Sequence, residues 1–217
     1  MHIEVYSDLV CPWCYVGKAR LAAALKARAT LAIKVSWLPF ELNPSMPIEG
    51  RDRREYMRER FGDLSRFDEA QRQLVGLGSE LGLQFNFDEI HRSPNTRRAH
   101  MLLQAAEPLL QQTLVERLFY AYFTEGKDIG DATVLLSLAQ EAGMLAEHVQ
   151  AALSDMKLAH EVERLEHQAQ SWRISGVPTF IFDRRMAFSG AQPLDVFLQA
   201  IDACSQQAHS GDSISGR

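Results

Sequence analysis

Residues 11–14 read Cys11-Pro12-Trp13-Cys14. They stand between a short apolar run, Ile3-Glu4-Val5-Tyr6, and a segment with Tyr15, Ala19, Ala22 and Leu25 at helical spacing. The run before the cysteines reads as a strand and the segment after them as a helix. Cys11 then falls at the N-cap and Pro12 at the first helical position, where a missing backbone N–H costs nothing. Cys14 follows one turn on, on the same face, so the two sulfurs can meet. A thiolate at Cys11 would face the unpaired N–H groups and positive dipole end of the helix. Thiolate is the form that attacks disulfides.

Two other chemistries share the C-x-x-C spacing. A structural zinc takes four ligands, yet the only further cysteine is Cys204, and none of the seven histidines belongs to an H-x3–5-H pair. No metal is expected. A pair of inert core thiols would leave the proline and the strand-to-helix setting without a reason. A catalytic dithiol accounts for both.

The chain has 217 residues, 46% of them hydrophobic, enough to bury a substantial core. A formal net charge of -5 gives no electrostatic support for nucleic-acid binding. The run Arg51-Asp52-Arg53-Arg54 is broken by an acid and followed by Glu55 and Glu59, and reads as a solvated helix face. No basic stretch and apolar core of a signal peptide precede the first strand. No run of eighteen apolar residues could span a membrane. The expected setting is cytoplasmic, where a C-x-x-C reads as catalytic rather than structural.

After the first helix, residues 31–38 alternate as a strand, closed by Pro39, Pro44 and Pro47. This β-α-β opening predicts a parallel pair with a right-handed crossover. Residues 51–170 are helical in character. Candidate helices cover 51–61, 67–81 (weakened by Gly76 and Gly78), 95–107, 109–124, 131–143 with Asp131 as N-cap, 146–154 and 157–172. Strands resume at Thr179-Phe180-Ile181-Phe182 and Met186-Ala187-Phe188, joined by the turn Asp183-Arg184-Arg185. Pro193 opens a last helix with Leu194, Phe197, Leu198 and Ile201 on one face. Residues 205–217 read as a flexible polar tail. The expected organisation is therefore 1–45 and 171–204 as two halves of one sheet domain, with 51–170 inserted between them.

CPWC at the first helix, with Gly176-Val177-Pro178-Thr179 before the third strand, resembles the thioredoxin fold. The stretches Ser7-Asp8-Leu9-Val10-Cys11-Pro12-Trp13-Cys14-Tyr15-Val16-Gly17, Phe40-Glu41-Leu42-Asn43-Pro44 and Ser93-Pro94-Asn95-Thr96-Arg97-Arg98-Ala99-His100 are similar to the DsbA-like oxidoreductases of the FrnE branch. The resemblance implies an α/β thioredoxin fold with a large all-helical insertion between its β-α-β and β-β-α halves. It also implies thiol–disulfide exchange, with Cys11 attacking, Cys14 resolving, and a cis bond before Pro178. His100 and Asn95 would line the active-site cleft with Pro12, Trp13, Val177 and Pro178. Trp13 and Tyr15 would offer a hydrophobic platform to unfolded peptide, while Trp37 and Phe40 read as core. The chain departs from periplasmic DsbA proteins, which carry His between the cysteines. It also departs from relatives with a second cysteine pair near the C-terminus; Cys204 alone reads as a buried thiol.

The leading function is a disulfide reductase or isomerase acting on protein or small-molecule thiols and disulfides. No bound cofactor is expected beyond the Cys11–Cys14 disulfide itself, with glutathione as an eventual co-substrate. The alternative is a glutathione-dependent isomerase or transferase of the 2-hydroxychromene-2-carboxylate isomerase or kappa class. Those relatives have Ser where this chain has Cys11. A third reading is a non-catalytic interaction module with inert thiols. The sequence sets no oligomeric state.

Overall fold

The computed structural model describes residues 1–211. The chain opens with β1 (His2–Ser7), α1 (Pro12–Ala27) and β2 (Lys34–Pro39). There follow β3 (Arg51–Asp52), α2 (Arg53–Phe61), α3 (Ser65–Glu80), β4 (Arg92–Ser93), α4 (Arg97–Ala105), α5 (Pro108–Phe123), α6 (Ala132–Glu141), α7 (Ala146–Ser154) and α8 (Met156–Ser171). It closes with β5 (Thr179–Phe182), β6 (Met186–Ser189) and α9 (Leu194–Gly211).

The main sheet has the order β2-β1-β5-β6, with β1 and β2 parallel and the other neighbours antiparallel. β1 is therefore an inner strand, and it is covered on both faces, as parallel pairing with a helical crossover requires. The two-residue period of its side chains divides the core. Ile3 and Val5 join Val35, Trp37, Phe180 and Phe182 in the large cluster shared with α1, α5 and α9. Tyr6 points the other way, with Ile181 and Leu38, against Ala169 of α8. Trp37 is 3% exposed, as a core residue should be, and Phe40 packs on the smaller cluster.

Several boundaries differ from the sequence reading for identifiable reasons. β2 starts at Lys34 rather than residue 31, because its parallel partner starts at His2. Residues 51 and 52 pair with Ser93 and Arg92 instead of entering a helix, and Asp52 caps α2 by accepting from the Glu55 N–H at 2.9 Å. α3 runs unbroken through Gly76 and Gly78. A Cβ on Gly78 would lie 2.6 Å from the Phe85 ring, so the glycine is what lets the helix rest on that ring. α4 begins at Arg97, with Asn95 accepting its N–H at 3.0 Å. Ser205 does not begin a tail: α9 continues to Gly211, through residues with no helix breaker among them. The rest of the expected tail, 212–217, lies outside the described residues.

The hairpin turn contains no glycine. Asp183 and Arg184 adopt φ of 48° and 55°, and two anchors hold them there. Asp183 accepts from the His2 N–H at 2.6 Å, and Arg184 forks onto the Glu4 carboxylate at 2.9 and 3.0 Å.

Candidate active site

The end of β1 leads directly into the CPWC turn. Cys11 is the N-cap of α1, with extended φ and ψ, and Pro12 opens the helix. The Cys11 N–H donates to the Asp8 carbonyl at 3.1 Å, and the Cys11 carbonyl accepts from the N–H groups of Cys14 and Tyr15. The side chain does not cap the helix. Instead, the Cys11 thiol is aimed at the Val177 carbonyl, with Sγ 3.8 Å from the oxygen.

Val177 is joined to Pro178 by a cis peptide bond. Pro178 is buried, and its carbonyl accepts from the Gly190 N–H at 2.7 Å, which ties the turn to the β6 side of the sheet. Gly17 explains why α1 can lie so close: a Cβ there would come within 3.0 Å of both Pro178 Cγ and the Phe180 ring. Cys11, Cys14, Val177 and Pro178 are thus brought together by one close helix–strand contact.

Cys11 and Cys14 are both free thiols, 5% and 0% exposed. Burial, then the hydrogen bond and charge of Cys11, push the Cys14 thiol well above its ordinary range. The Ser7 side chain and the Asp8 backbone pull the other way. Proton retention at Cys14 follows chiefly from desolvation of a group with no water contact. Cys204, also buried, lies at the opposite end of the sheet, where its thiol donates to the Phe182 carbonyl at 3.9 Å.

A polar pair is buried where β1 runs into the CPWC turn. Asp8 and His100 are each 1% exposed, and Nε2 of His100 lies 3.5 Å from Oδ1 of Asp8. The other carboxylate oxygen of Asp8 accepts from the Leu42 N–H at 2.7 Å. Among the described residues, Asp8 Oδ1 and both ring nitrogens of His100 have no hydrogen-bond partner. Buried polar atoms are nearly always bonded, so these three unpaired atoms stand out. Beyond it, Glu41 takes the Arg97 guanidinium at 2.9 Å. Burial and the Glu166 charge hold its carboxyl above the usual range.

His100 is thus buried against Asp8 rather than set on an open cleft wall. Asn95 is 8% exposed and braces the loop after β2, its amide donating to the Met46 carbonyl at 2.7 Å. Tyr15, expected on an exposed platform, is 2% exposed instead. It stacks on Phe119 and Phe123, with centroids 5.2 and 5.8 Å apart, because its position on α1 faces α5. Trp13 does remain open, at 46% exposure, and with Pro12 it lines a cavity of about 280 Å³. The sequence reading gave no role to Asp8, although it stands in the quoted motif. It also took Arg53 for a solvated residue, whereas that guanidinium donates to Tyr122 Oη at 3.1 Å.

Among the described residues, no group of three or more His, Cys, Asp or Glu is placed to hold a metal ion, and no helix is long and apolar enough to cross a membrane. A DsbA-like thioredoxin domain matches residues 2–202. The chain belongs to that family. The DsbA-like chain is 34% identical over 204 residues to the uncharacterized protein YwbO of Bacillus subtilis (strain 168), a match covering 93% of this chain and 96% of the relative. A probable DsbA oxidoreductase from Streptomyces coelicolor superposes with a TM-score of 0.87 at 31% identity, over 95% of this chain and 90% of that one. The cytosolic disulfide reductase DsbM from Pseudomonas aeruginosa, solved with GSH, shares the fold with a TM-score of 0.67 at 21% identity, over 95% and 100% of the two chains. This is a family of thioredoxin-fold oxidoreductases and isomerases, and the DsbA-like chain carries its fold over residues 2–202.

Proposed function

We propose that the chain is a thiol–disulfide oxidoreductase, working as a reductase or isomerase through the Cys11–Cys14 dithiol. The observation that carries this reading is the asymmetry of the pair. Cys11 stands at a helix N-terminus with its sulfur under the Val177 carbonyl, while Cys14 is sealed beneath it with its proton held. In the first step, the Cys11 thiolate attacks one sulfur of a substrate disulfide; a mixed disulfide forms and one substrate thiolate leaves. In the second, Cys14 gives up its proton and attacks Cys11 Sγ. The Cys11–Cys14 disulfide forms, the second thiolate leaves, and two electrons have passed to the substrate.

The second step needs a proton acceptor for a fully buried thiol, and we assign that part to Asp8 with His100, because the Asp8 backbone is hydrogen-bonded to the Cys14 thiol. Two equivalents of an external thiol then return the enzyme to its dithiol form. Glutathione is assigned that part by analogy with DsbM, as is the cytoplasmic setting expected from the sequence. The small cavity beside Trp13 favours a second reading, a glutathione-dependent isomerase or transferase acting on a small molecule.

Turnover of hydroxyethyl disulfide with reduced glutathione separates the two. The oxidoreductase reading expects glutathione to be oxidised, and expects Cys11→Ser to abolish the reaction with the fold intact. Conjugation or isomerisation of an electrophile without loss of free thiol would move the second reading ahead.

A further inference from the structure

The cavity beside the CPWC turn is unlike the surface around it. Its walls are Trp13 from α1, Met46 from the loop after β2, Met57 and Phe61 from α2, and Phe67 and Leu74 from α3. These side chains meet only because the insertion lays α2 and α3 beside the start of α1. At about 280 Å³, the cavity sits at the small end of the roughly 300–1,000 Å³ range of ligand sites. It would hold a single apolar ring or short branched chain, but not a folded polypeptide loop.

Two guanidiniums line the same cavity. Arg53 donates to Tyr122 Oη at 3.1 Å and lies 5.7 Å from the Phe67 ring; Arg60 donates to Tyr56 Oη at 3.0 Å and lies 5.9 Å from the Phe61 ring. Among the described residues neither makes an ion pair, whereas the neighbouring Arg51 is held by Glu59. The one carboxylate on the lining, Asp8, is already turned to His100 and the Leu42 N–H. Two cations propped on aromatic rings and phenol oxygens, outnumbering the single carboxylate of the lining, leave a positive rim on an apolar hole. The floor adjoins the dithiol through Val10 and Pro12, the neighbours of Cys11.

From this we infer that the site takes the disulfides of small apolar thiols that carry one acidic group. The apolar arm enters the cavity, the anion rests on Arg53 and Arg60, and the sulfur is presented to Cys11. This rests on the oxidoreductase reading and names its substrate class. A peptide as polar as glutathione would leave its amides and ammonium against carbon walls, so here it is the returning thiol and not the guest of the cavity. The exchange is the one written above, with the apolar acid leaving as its thiol.

The test compares two aromatic disulfides, 5,5′-dithiobis(2-nitrobenzoate), with one carboxylate per ring, and the uncharged 2,2′-dithiodipyridine. Hydroxyethyl disulfide serves as the small reference. In Arg53→Gln/Arg60→Gln the ratio of kcat/KM for the carboxylate over the neutral aromatic disulfide is expected to fall roughly tenfold to a hundredfold, as for the loss of one charge-assisted hydrogen bond. In Ala70→Phe, which places a ring at the cavity wall from an exposed position of α3, both aromatic disulfides should lose rate relative to hydroxyethyl disulfide. Unchanged ratios in both variants, with all three disulfides still reduced, would overturn the cavity assignment and leave the redox reading standing. Failure of the wild type to reduce any of them would remove the redox reading itself. A protein disulfide reduced faster than either aromatic compound, and unaffected by both variants, would also overturn the assignment in favour of an open peptide site.

Discussion

His100 Nε2 and Asp8 Oδ1 face each other at 3.5 Å, both residues 1% exposed, with no hydrogen bond spent on either ring nitrogen. A histidine and a carboxylate left so free inside a core are poorly explained by stability alone, since unpaired buried polar atoms cost about 1–3 kcal/mol each. The Asp8 backbone is hydrogen-bonded to the Cys14 thiol, and the proposed mechanism uses the pair as the proton acceptor of the resolving step.

Asp8→Asn and His100→Gln are therefore expected to slow the release of a chromophoric thiol from the Cys11 mixed disulfide on the order of 10²-fold, the low end of general-base effects. The initial attack by Cys11, followed by rapid mixing, should change far less. The pH profile of release should also move in the variants, which a purely structural role would not produce. Equal slowing of both steps would assign the pair to packing.

Cys14 supplies a pH dependence whose sign follows from its raised pKa. In the unfolded chain the thiol ionises near 8.5; in the folded reduced protein it keeps its proton to higher pH. Its contribution to stability is thus intact below about pH 8.5 and is lost as pH rises from there toward the folded value, with a slope of up to about 1.4 kcal/mol per pH unit. Urea denaturation of the reduced protein between pH 8 and 10 should show that decline, and Cys14→Ala should show it reduced by up to one proton. Parallel curves would mean that Cys14 titrates as a free thiol.

Gly17, the single glycine of α1, is expected to be sensitive to substitution. In most exposed helices alanine is the better residue. Here its methyl would meet Pro178 and Phe180 at 3.0 Å, so Gly17→Ala should destabilise the protein by about 1–3 kcal/mol through overpacking. It should also lower disulfide reductase activity, by moving Cys11 away from the Val177 carbonyl. A more stable and fully active variant would show that the helix and the turn shift apart freely.

Much of the fold was legible because its signals are local. Proline after an N-cap cysteine, alternation through Val35 and Trp37, and the polar turn at residues 183–185 each act within a few residues. The boundaries that failed depend on partners distant in sequence. The start of β2 is set by His2 and the pairing of Arg51 by Ser93. The site divides the same way. Cys11, Cys14, Val177 and Pro178 could be named from motif and resemblance. Tyr15 could not be placed, since its burial comes from Phe119 and Phe123 on a helix a hundred residues away. Arg53 reads as a surface charge, because nothing in the sequence reports that Tyr122 holds it against a cavity.

The central claim, that Cys11 attacks a disulfide and Cys14 resolves it, is tested most directly by trapping. Cys14→Ala removes the second thiol, so the reduced variant, offered one equivalent of 5,5′-dithiobis(2-nitrobenzoate), should release one equivalent of nitrothiobenzoate. Intact and peptide mass spectra should then show a stable adduct on Cys11, one that dithiothreitol removes. The wild type under the same conditions should release two equivalents and end with a Cys11–Cys14 disulfide and no adduct. An adduct on Cys204 alone, or a wild type that stops at one equivalent with its label still on Cys11, would contradict the account.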